Sequence, residues 1–485
     1  MIYKFLLIVS LLVFTACGGS YNTSKEKTGD NNLSIDDINA LNTRFKATTK
    51  TITLYVHGYR QEGFEKEGDY GRGWYNTFSK NLKKFTNLPM IDYQDIPNYN
   101  KENFYNFLTS IDYYGQTPPS YYNQDDIDEV KEIDQEYGGG VPKYALIVAK
   151  YAKYLLEETG AEKINIISVS MGSFVTRWMI EKDLESLASD KKIEKWLSVE
   201  GVVRGNYALS QVDDGSIMNL FFTNSPETDQ MKYEWIEENL NSNPNEMNSP
   251  YYRDILVGQI SLTDGTQENS LMKYVLPIYG GFQPNDGFQL LKDTYFDSIE
   301  NYIQIPTHTI LHGDHVDIKN NYGAFANMVS FLDAKKRVRV TLIDTTVTDI
   351  HEDITSNNRG SEIVFESFVS SQKAKERLDI DAFVDERVYE SGALRIHNYN
   401  EVGATYALNE TLFDSFVLSD EKELEIRVEG YEIDRSTLYD ISETNKVSKK
   451  ESLGEAKKIV PLKNGEYDIS AQDWSGKLRV EVLEM

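Results

Sequence analysis

The sequence predicts an α/β core with a mostly parallel sheet, followed by an antiparallel β-sandwich. Three observations predict it. From about Leu41 to Asp333, short β-rich runs alternate with helical patterns, the order of a layered α/β unit. Inside that stretch a short apolar run, Ile164 to Ser168, enters a tight turn and then a helical pattern from Met171 to about Lys182. From about Lys335 the pattern changes to a period of two, as in Val338, Val340 and Leu342, the mark of half-buried strands.

Taken in order, the chain opens with an address. Lys4 gives a positive start, and Phe5 to Phe14 is an apolar run broken only by Ser10. The run is too short to span a bilayer as a stable helix. Cys17 follows at the cleavage position, so Val13-Phe14-Thr15-Ala16-Cys17 resembles a bacterial lipoprotein signal, with Phe14 where Leu is usual. The resemblance implies cleavage after residue 16 and acylation of Cys17, enough to anchor the chain stably in a membrane. Gly18 lacks the Asp that often retains such proteins at the inner membrane. The expected location is therefore the bacterial cell envelope, at the outer membrane. Residues 17–37 are polar and read as a flexible tether.

The α/β unit is expected over residues 38–334. Thr51 to His57 reads as a strand ending at Gly58. Tyr99 to Gly140, rich in Tyr and acids, is expected to cover one edge of the core. Tyr144, Ile147, Val148, Tyr151 and Leu155 recur at helical spacing, and Gly160 is placed to end that helix. Residues 206–274 form a long irregular stretch, expected to be a lid-like insertion. It holds the apolar run Ile217 to Phe222. Thr307 to Leu311 reads as a strand, and Ala324 to Leu332 as a helix. Over 335–485, Leu424, Ile426 and Val428 and then Leu478, Val480 and Val482 repeat the period of two. Turn-like clusters such as Ser356 to Gly360 separate the runs, which suits a β-sandwich.

Composition narrows the chemistry. Acids outnumber bases 77 to 50, a net charge of -27. That argues against nucleic acid as a partner, since phosphate binding needs a basic surface. A single Cys excludes an intrachain disulfide and a multi-cysteine metal site.

The strongest local signal is Ser168-Val169-Ser170-Met171-Gly172 between strand and helix. Small residues two before and two after Ser170 allow a strained turn that pushes its Oγ above the sheet. The helix start aims backbone N–H groups at developing negative charge. Upstream, His57-Gly58-Tyr59 follows a strand. With Ser170 in place, the Tyr59 N–H would join the Met171 N–H as an oxyanion hole, leaving His57 structural. Downstream, Pro284-Asn285-Asp286-Gly287 offers an acid in a turn, able to orient an imidazole. A general base is then sought in His308, His312 and His315. His315 is favoured because it lies on the loop after the last strand. The same cluster with Asp314 also offers candidate zinc ligands, but that reading explains one feature where the serine reading explains four.

The order Ser170, Asp286, His315 is the chain order of α/β-hydrolases. Residues from about Thr51 to Leu332 resemble that superfamily, in its bacterial triacylglycerol lipase and lipase-like esterase branch. There S-H-S-M-G, H-G-[FY], N-D-G-V-V and D-H segments recur in this order. This chain has S-V-S-M-G, H-G-Y, N-D-G-F and G-D-H, departing at Val169 and Ser168. The resemblance implies Ser170 as nucleophile, Asp286 as orienting acid and His315 as base, without metal or organic cofactor. The expected activity is hydrolysis of a lipid or a small ester, and the negative charge shades this away from anionic lipids. The alternative is an inactive surface lipoprotein that uses the scaffold for binding or adhesion.

Overall fold

The computed structural model describes residues 50–59, 70–71, 73, 76–210, 225–240, 246–247, 250–263, 285–299, 306–349, 361–379, 381–387, 395–433 and 450–484. The signal segment, Cys17, the tether, the run Ile217 to Phe222, Pro284 and the 356–360 turn lie outside these residues.

Six parallel strands form the central sheet: β1 (Thr51–Val56), β2 (Leu108–Ile111), β3 (Lys163–Val169), β4 (Ile193–Val199), β6 (Leu256–Leu262) and β8 (Thr307–Leu311), in the order β2-β1-β3-β4-β6-β8. Two short strands, β5 (Glu246–Met247) and β7 (Ser298–Ile299), pair separately. The central strands are buried almost throughout, as a parallel sheet covered on both faces requires. Alternate residues serve opposite layers. Tyr55, Ile167 and Leu197 share a core with Phe78, Leu82 and Phe325, from helices Thr77–Thr86 and Tyr322–Asp333. Leu54, Ile166 and Trp196 share the other with Leu146 and Phe174, from helices Val141–Thr159 and Met171–Glu181. Helix Val141–Thr159 stops where Gly160 takes φ 71°, the left-handed cap that glycine adopts without strain. Six parallel strands covered by helices on both faces fit the expected α/β-hydrolase core.

Two expectations change. The stretch 206–274, expected to be an irregular lid-like insertion, contributes β6 (Leu256–Leu262), a fully buried strand of the central sheet between β4 and β8. The segment from Tyr99 to Gly140 does more than cover an edge, because it supplies β2, the edge strand itself. Leu-Thr-Ser-Ile is too short and too polar to stand out by period. The acids of the following helix, Gln124–Tyr137, have a structural use. The buried Lys150 Nζ lies 2.7 Å from Asp126, 2.6 Å from Glu129 and 2.6 Å from Glu185.

Beyond residue 335 two antiparallel sheets face each other as a β-sandwich. One holds β10 (Ser361–Ser371), β11 (Asp385–Arg387), β12 (His397–Tyr399), β14 (Glu423–Ile433) and β15 (Lys450–Pro461). The other orders β13 (Thr405–Val417), β9 (Lys336–Val347), β17 (Trp474–Glu484) and β16 (Gly465–Ser470). Val338, Val340, Leu342, Ile426, Val428, Leu478 and Val480 line the core between them, as their period of two requires. Phe365 packs on Trp474 with centroids 5.0 Å apart.

The sandwich also closes the open edge of the central sheet. Among the described residues, strand β8 has no neighbouring strand in that sheet on its outer side. Side chains of β11 and its flank serve the exposed backbone instead. The Ile310 N–H donates to Asp385 at 3.3 Å, the His312 N–H donates to Glu386 at 3.2 Å, and Arg387 donates to the His308 carbonyl at 3.2 Å. An edge left bare would be a template for another chain.

Arg337 and Arg339 both bind Asp414, Arg337 from a nearly fully buried position. Burial opposes the Asp414 charge, but the two guanidinium groups override it and hold the carboxyl down at about 2. The folded-state pKa lies below the unfolded one, so this stabilisation is complete above the ordinary carboxylate value and is lost as pH falls towards 2. Asp414→Asn should therefore cost about 3 kcal/mol in urea unfolding at pH 7, by stranding buried arginine charge. The gap between variant and parent should narrow at low pH.

Candidate active site

Ser170 alone forms the turn between β3 and helix Met171–Glu181. Its backbone lies at φ 54° and ψ −127°, a conformation that non-glycine residues rarely adopt. Neighbouring strands hold it there. The Ser170 N–H donates to the Val199 carbonyl at 2.9 Å, and the Val202 N–H donates to the Ser170 carbonyl at 3.2 Å. Gly172 is required by contact rather than by dihedral. A Cβ there would stand 2.3 Å from the His57 carbonyl oxygen and 2.6 Å from that of Val56. Gly58 is equally tight, since its Cβ would lie 2.9 Å from Ser170 Cβ. The backbone that carries the Tyr59 amide thus runs against Ser170, and the Met171 amide starts the helix. Ser168, where the resembled family often has Gly, is accommodated by hydrogen bonds. Its buried Oγ accepts from Trp196 Nε1 at 3.0 Å and lies 3.2 Å from Ser173 Oγ.

His315 opens the short helical turn His315–Asn320 after β8. Its Nε2 lies 2.9 Å from Ser170 Oγ, and its Nδ1 lies 2.7 Å from Asp286 Oδ2. A carboxylate on Nδ1 fixes the proton there, which leaves Nε2 to accept from the Ser170 hydroxyl. Asp286 is itself fixed. Its Oδ1 accepts from the N–H groups of Phe288 at 2.8 Å and Gln289 at 2.7 Å, and its carbonyl accepts from the His315 N–H at 2.9 Å. The Phe288 ring covers the imidazole at 4.9 Å. The three side chains singled out in the sequence are therefore brought together across 145 residues of chain.

A fourth group joins them that the sequence reading missed. Glu200, directly after β4, is fully buried, and its Oε2 stands 3.2 Å from His315 Nδ1. Its Oε1 accepts from the Leu262 N–H. Its own backbone sits at φ 49°. The available signal was modest: an acid before Gly201, closing an apolar strand at the same sheet edge as Ser170.

The charges shape one another. Burial, then the nearby Asp286 carboxylate, raise Glu200 well above the usual carboxylate range. Burial also opposes the Asp286 charge, but His315 and the hydrogen bonds from Glu200 and Gln289 bring it below its ordinary value. Burial disfavours the His315 cation. Asp286, with help from Glu200, overrides this and raises the imidazole pKa.

The other histidines have separate partners. His308 Nε2 lies 2.9 Å from Ser261 Oγ, and its ring stacks on Tyr295 at 4.0 Å. Burial and the Arg387 guanidinium press its pKa down to about 3. His312 is exposed on the turn held by Glu386. His57 is buried and stacks on Tyr113 at 4.0 Å, whose hydroxyl donates to the His57 and Gly58 carbonyls.

Among the described residues, two trios gather metal-capable atoms: Glu200, Asp286 and His315, and Asp126, Glu129 and Glu185. The second surrounds the Lys150 ammonium. The set His308, His312, Asp314 and His315 is not brought together.

No protein-family model matches the chain, and no curated protein does either. Solved structures do. A lipase from Bacillus licheniformis in its mature form is similar over 58% of this chain and 93% of its own, at 12% identity and TM-score 0.35. A phospholipase from Legionella pneumophila is similar over 80% of this chain and 87% of its own, at 12% identity and TM-score 0.35. A lipase-esterase related protein from Clostridium acetobutylicum is similar over 58% and 94%, at 14% identity and TM-score 0.24. None of these scores reaches 0.5.

Gly172→Ala should force β1 and the helix after Ser170 apart. A loss of about 1–3 kcal/mol is expected from the overpacking, read as a lower thermal midpoint. An unchanged midpoint would contradict so tight a contact.

Proposed function

We propose that the chain is a serine hydrolase of the lipase or carboxylesterase type, cleaving carboxylic esters through an acyl-enzyme. The observation that carries this reading is the unbroken hydrogen-bond path from Ser170 Oγ through His315 to Asp286, at the carboxyl edge of a parallel sheet.

In this mechanism His315 Nε2 takes the Ser170 proton as Oγ attacks the ester carbon. The Tyr59 and Met171 N–H groups hold the oxyanion. Asp286 stabilises the imidazolium that forms and keeps the ring oriented. The imidazolium then protonates the departing alcohol. In the second half, neutral His315 activates water, which attacks the acyl-enzyme carbon and frees Ser170. The strained turn at Ser170 supports this role, because strain of this kind keeps a nucleophile in place before substrate arrives. Acylation of Cys17 would hold the enzyme at a bacterial membrane, within reach of lipids or small esters.

Turnover of short p-nitrophenyl esters tests the reading. Ser170→Ala should abolish it. His315→Ala should lose about 10⁶-fold in kcat/KM, the scale seen when a triad histidine is removed. His308→Ala and His312→Ala should each lose less than about 10-fold, because their rings are engaged elsewhere or exposed. A larger loss at either than at His315 would overturn the assignment.

The pH profile follows from the His315 environment. The base works only when neutral, and its pKa stands above the ordinary imidazole value of 6.5. Log kcat/KM should keep rising with pH beyond neutrality. A plateau already reached at pH 6.5 would contradict the arrangement.

A further inference from the structure

The mechanism above needs one acid on His315, yet two stand at the same nitrogen. Asp286 Oδ2 is 2.7 Å from Nδ1, and Glu200 Oε2 is 3.2 Å from it. They arrive from different parts of the sheet edge: Glu200 from the end of β4, Asp286 from the turn beyond β6. Both are buried to within a percent or so of complete. A single N–H cannot satisfy two carboxylates, and two adjacent buried anions are not tolerated, so the pair must keep a proton between them.

The surrounding donors decide which partner is charged. Asp286 Oδ1 accepts from two backbone amides, whereas Glu200 Oε1 accepts from one, that of Leu262. The anion therefore settles on Asp286 and the proton on Glu200. The opposite directions of their pKa shifts, Glu200 up and Asp286 down, agree with this division. The main titratable groups acting on the pair are His315 and each other. Asp314 stands behind the turn, with Oδ1 3.7 Å from where a Gly287 Cβ would lie.

We infer that Glu200 is a second positioning residue for His315, a reserve acid held protonated while Asp286 carries the charge. This rests on His315 acting as the base. If Asp286 can no longer ionise, the reason for Glu200 to keep its proton disappears. Glu200 then releases it to solvent and its carboxylate accepts the His315 Nδ1–H. The site tolerates loss of either acid but not of both.

The test is a double-mutant cycle on ester hydrolysis, with the pH profile of kcat/KM as second readout. Asp286→Asn keeps an oxygen for the Phe288 and Gln289 amides, and so keeps the turn. Alone, Asp286→Asn and Glu200→Gln should each lose about 10-fold. Together they should lose about 10⁴-fold, the scale of a missing orienting acid. The acid limb of the profile should stay high in Asp286→Asn, because Glu200 supplies the anion. It should drop below the ordinary histidine value only in the double variant, where burial acts unopposed. A purely structural Glu200 would leave the limb indifferent to the second substitution. If Asp286→Asn alone matches the double variant in rate and limb, the inference is wrong.

An infrared difference spectrum of the unmodified enzyme supplies a readout that needs neither activity nor a folded Asp286 variant. The carbonyl band of a protonated carboxyl should be present at pH 7 and be lost in Glu200→Gln. Absence of that band overturns the inference. Full esterase activity in Ser170→Ala would instead overturn the proposed function, and the band would still judge the carboxyl pair.

Discussion

A serine held at positive φ at the end of β3 is the constraint on which the site depends. Such a backbone costs on the order of 1–3 kcal/mol and persists only where surroundings fix it. Here they are the carbonyl of Val199, the amide of Val202, and the close approach of β1 that Gly172 permits. The same approach brings the Gly58 backbone onto Ser170. Position of the proposed nucleophile and position of the proposed oxyanion donors are thus one packing problem. The loop after β8 then delivers His315 to the Ser170 hydroxyl, at 2.9 Å.

The loop that carries His315 is tied in turn to the C-terminal sandwich. Among the described residues, the outer edge of β8 is served not by another strand but by the side chains of Asp385, Glu386 and Arg387. One apolar cluster runs from the central sheet through helix Tyr322–Asp333 into the sandwich, with Phe331 against Phe416 at 5.7 Å. The two units are therefore continuous in packing. Asn327 extends the join by donating to the Val384 carbonyl at 2.7 Å.

Much of this was legible in the sequence because it is local. The strand, turn and helix around Ser170 lie within about twenty residues and carry their own periodicities. Strand Thr307–Leu311 and the alternation in β9, β14 and β17 are local in the same way. What was not legible depends on distant partners. Glu200 looks like an ordinary strand exit until Asp286 and His315, 115 residues further on, meet it. Strand β2 is four residues without a clear period and is recognisable only by pairing with β1. The roles of His308 and His312 as interface residues follow from β11, which arrives more than 70 residues later.

The central claim is that Ser170 Oγ is the activated nucleophile. Reaction of the full-length protein with a fluorophosphonate, followed by peptide mapping by mass spectrometry, tests it most directly. The account predicts one adduct, on Ser170, formed rapidly in the unmodified protein and strongly slowed in His315→Ala. An adduct on another residue, or labelling of Ser170 at the same rate without His315, would contradict it.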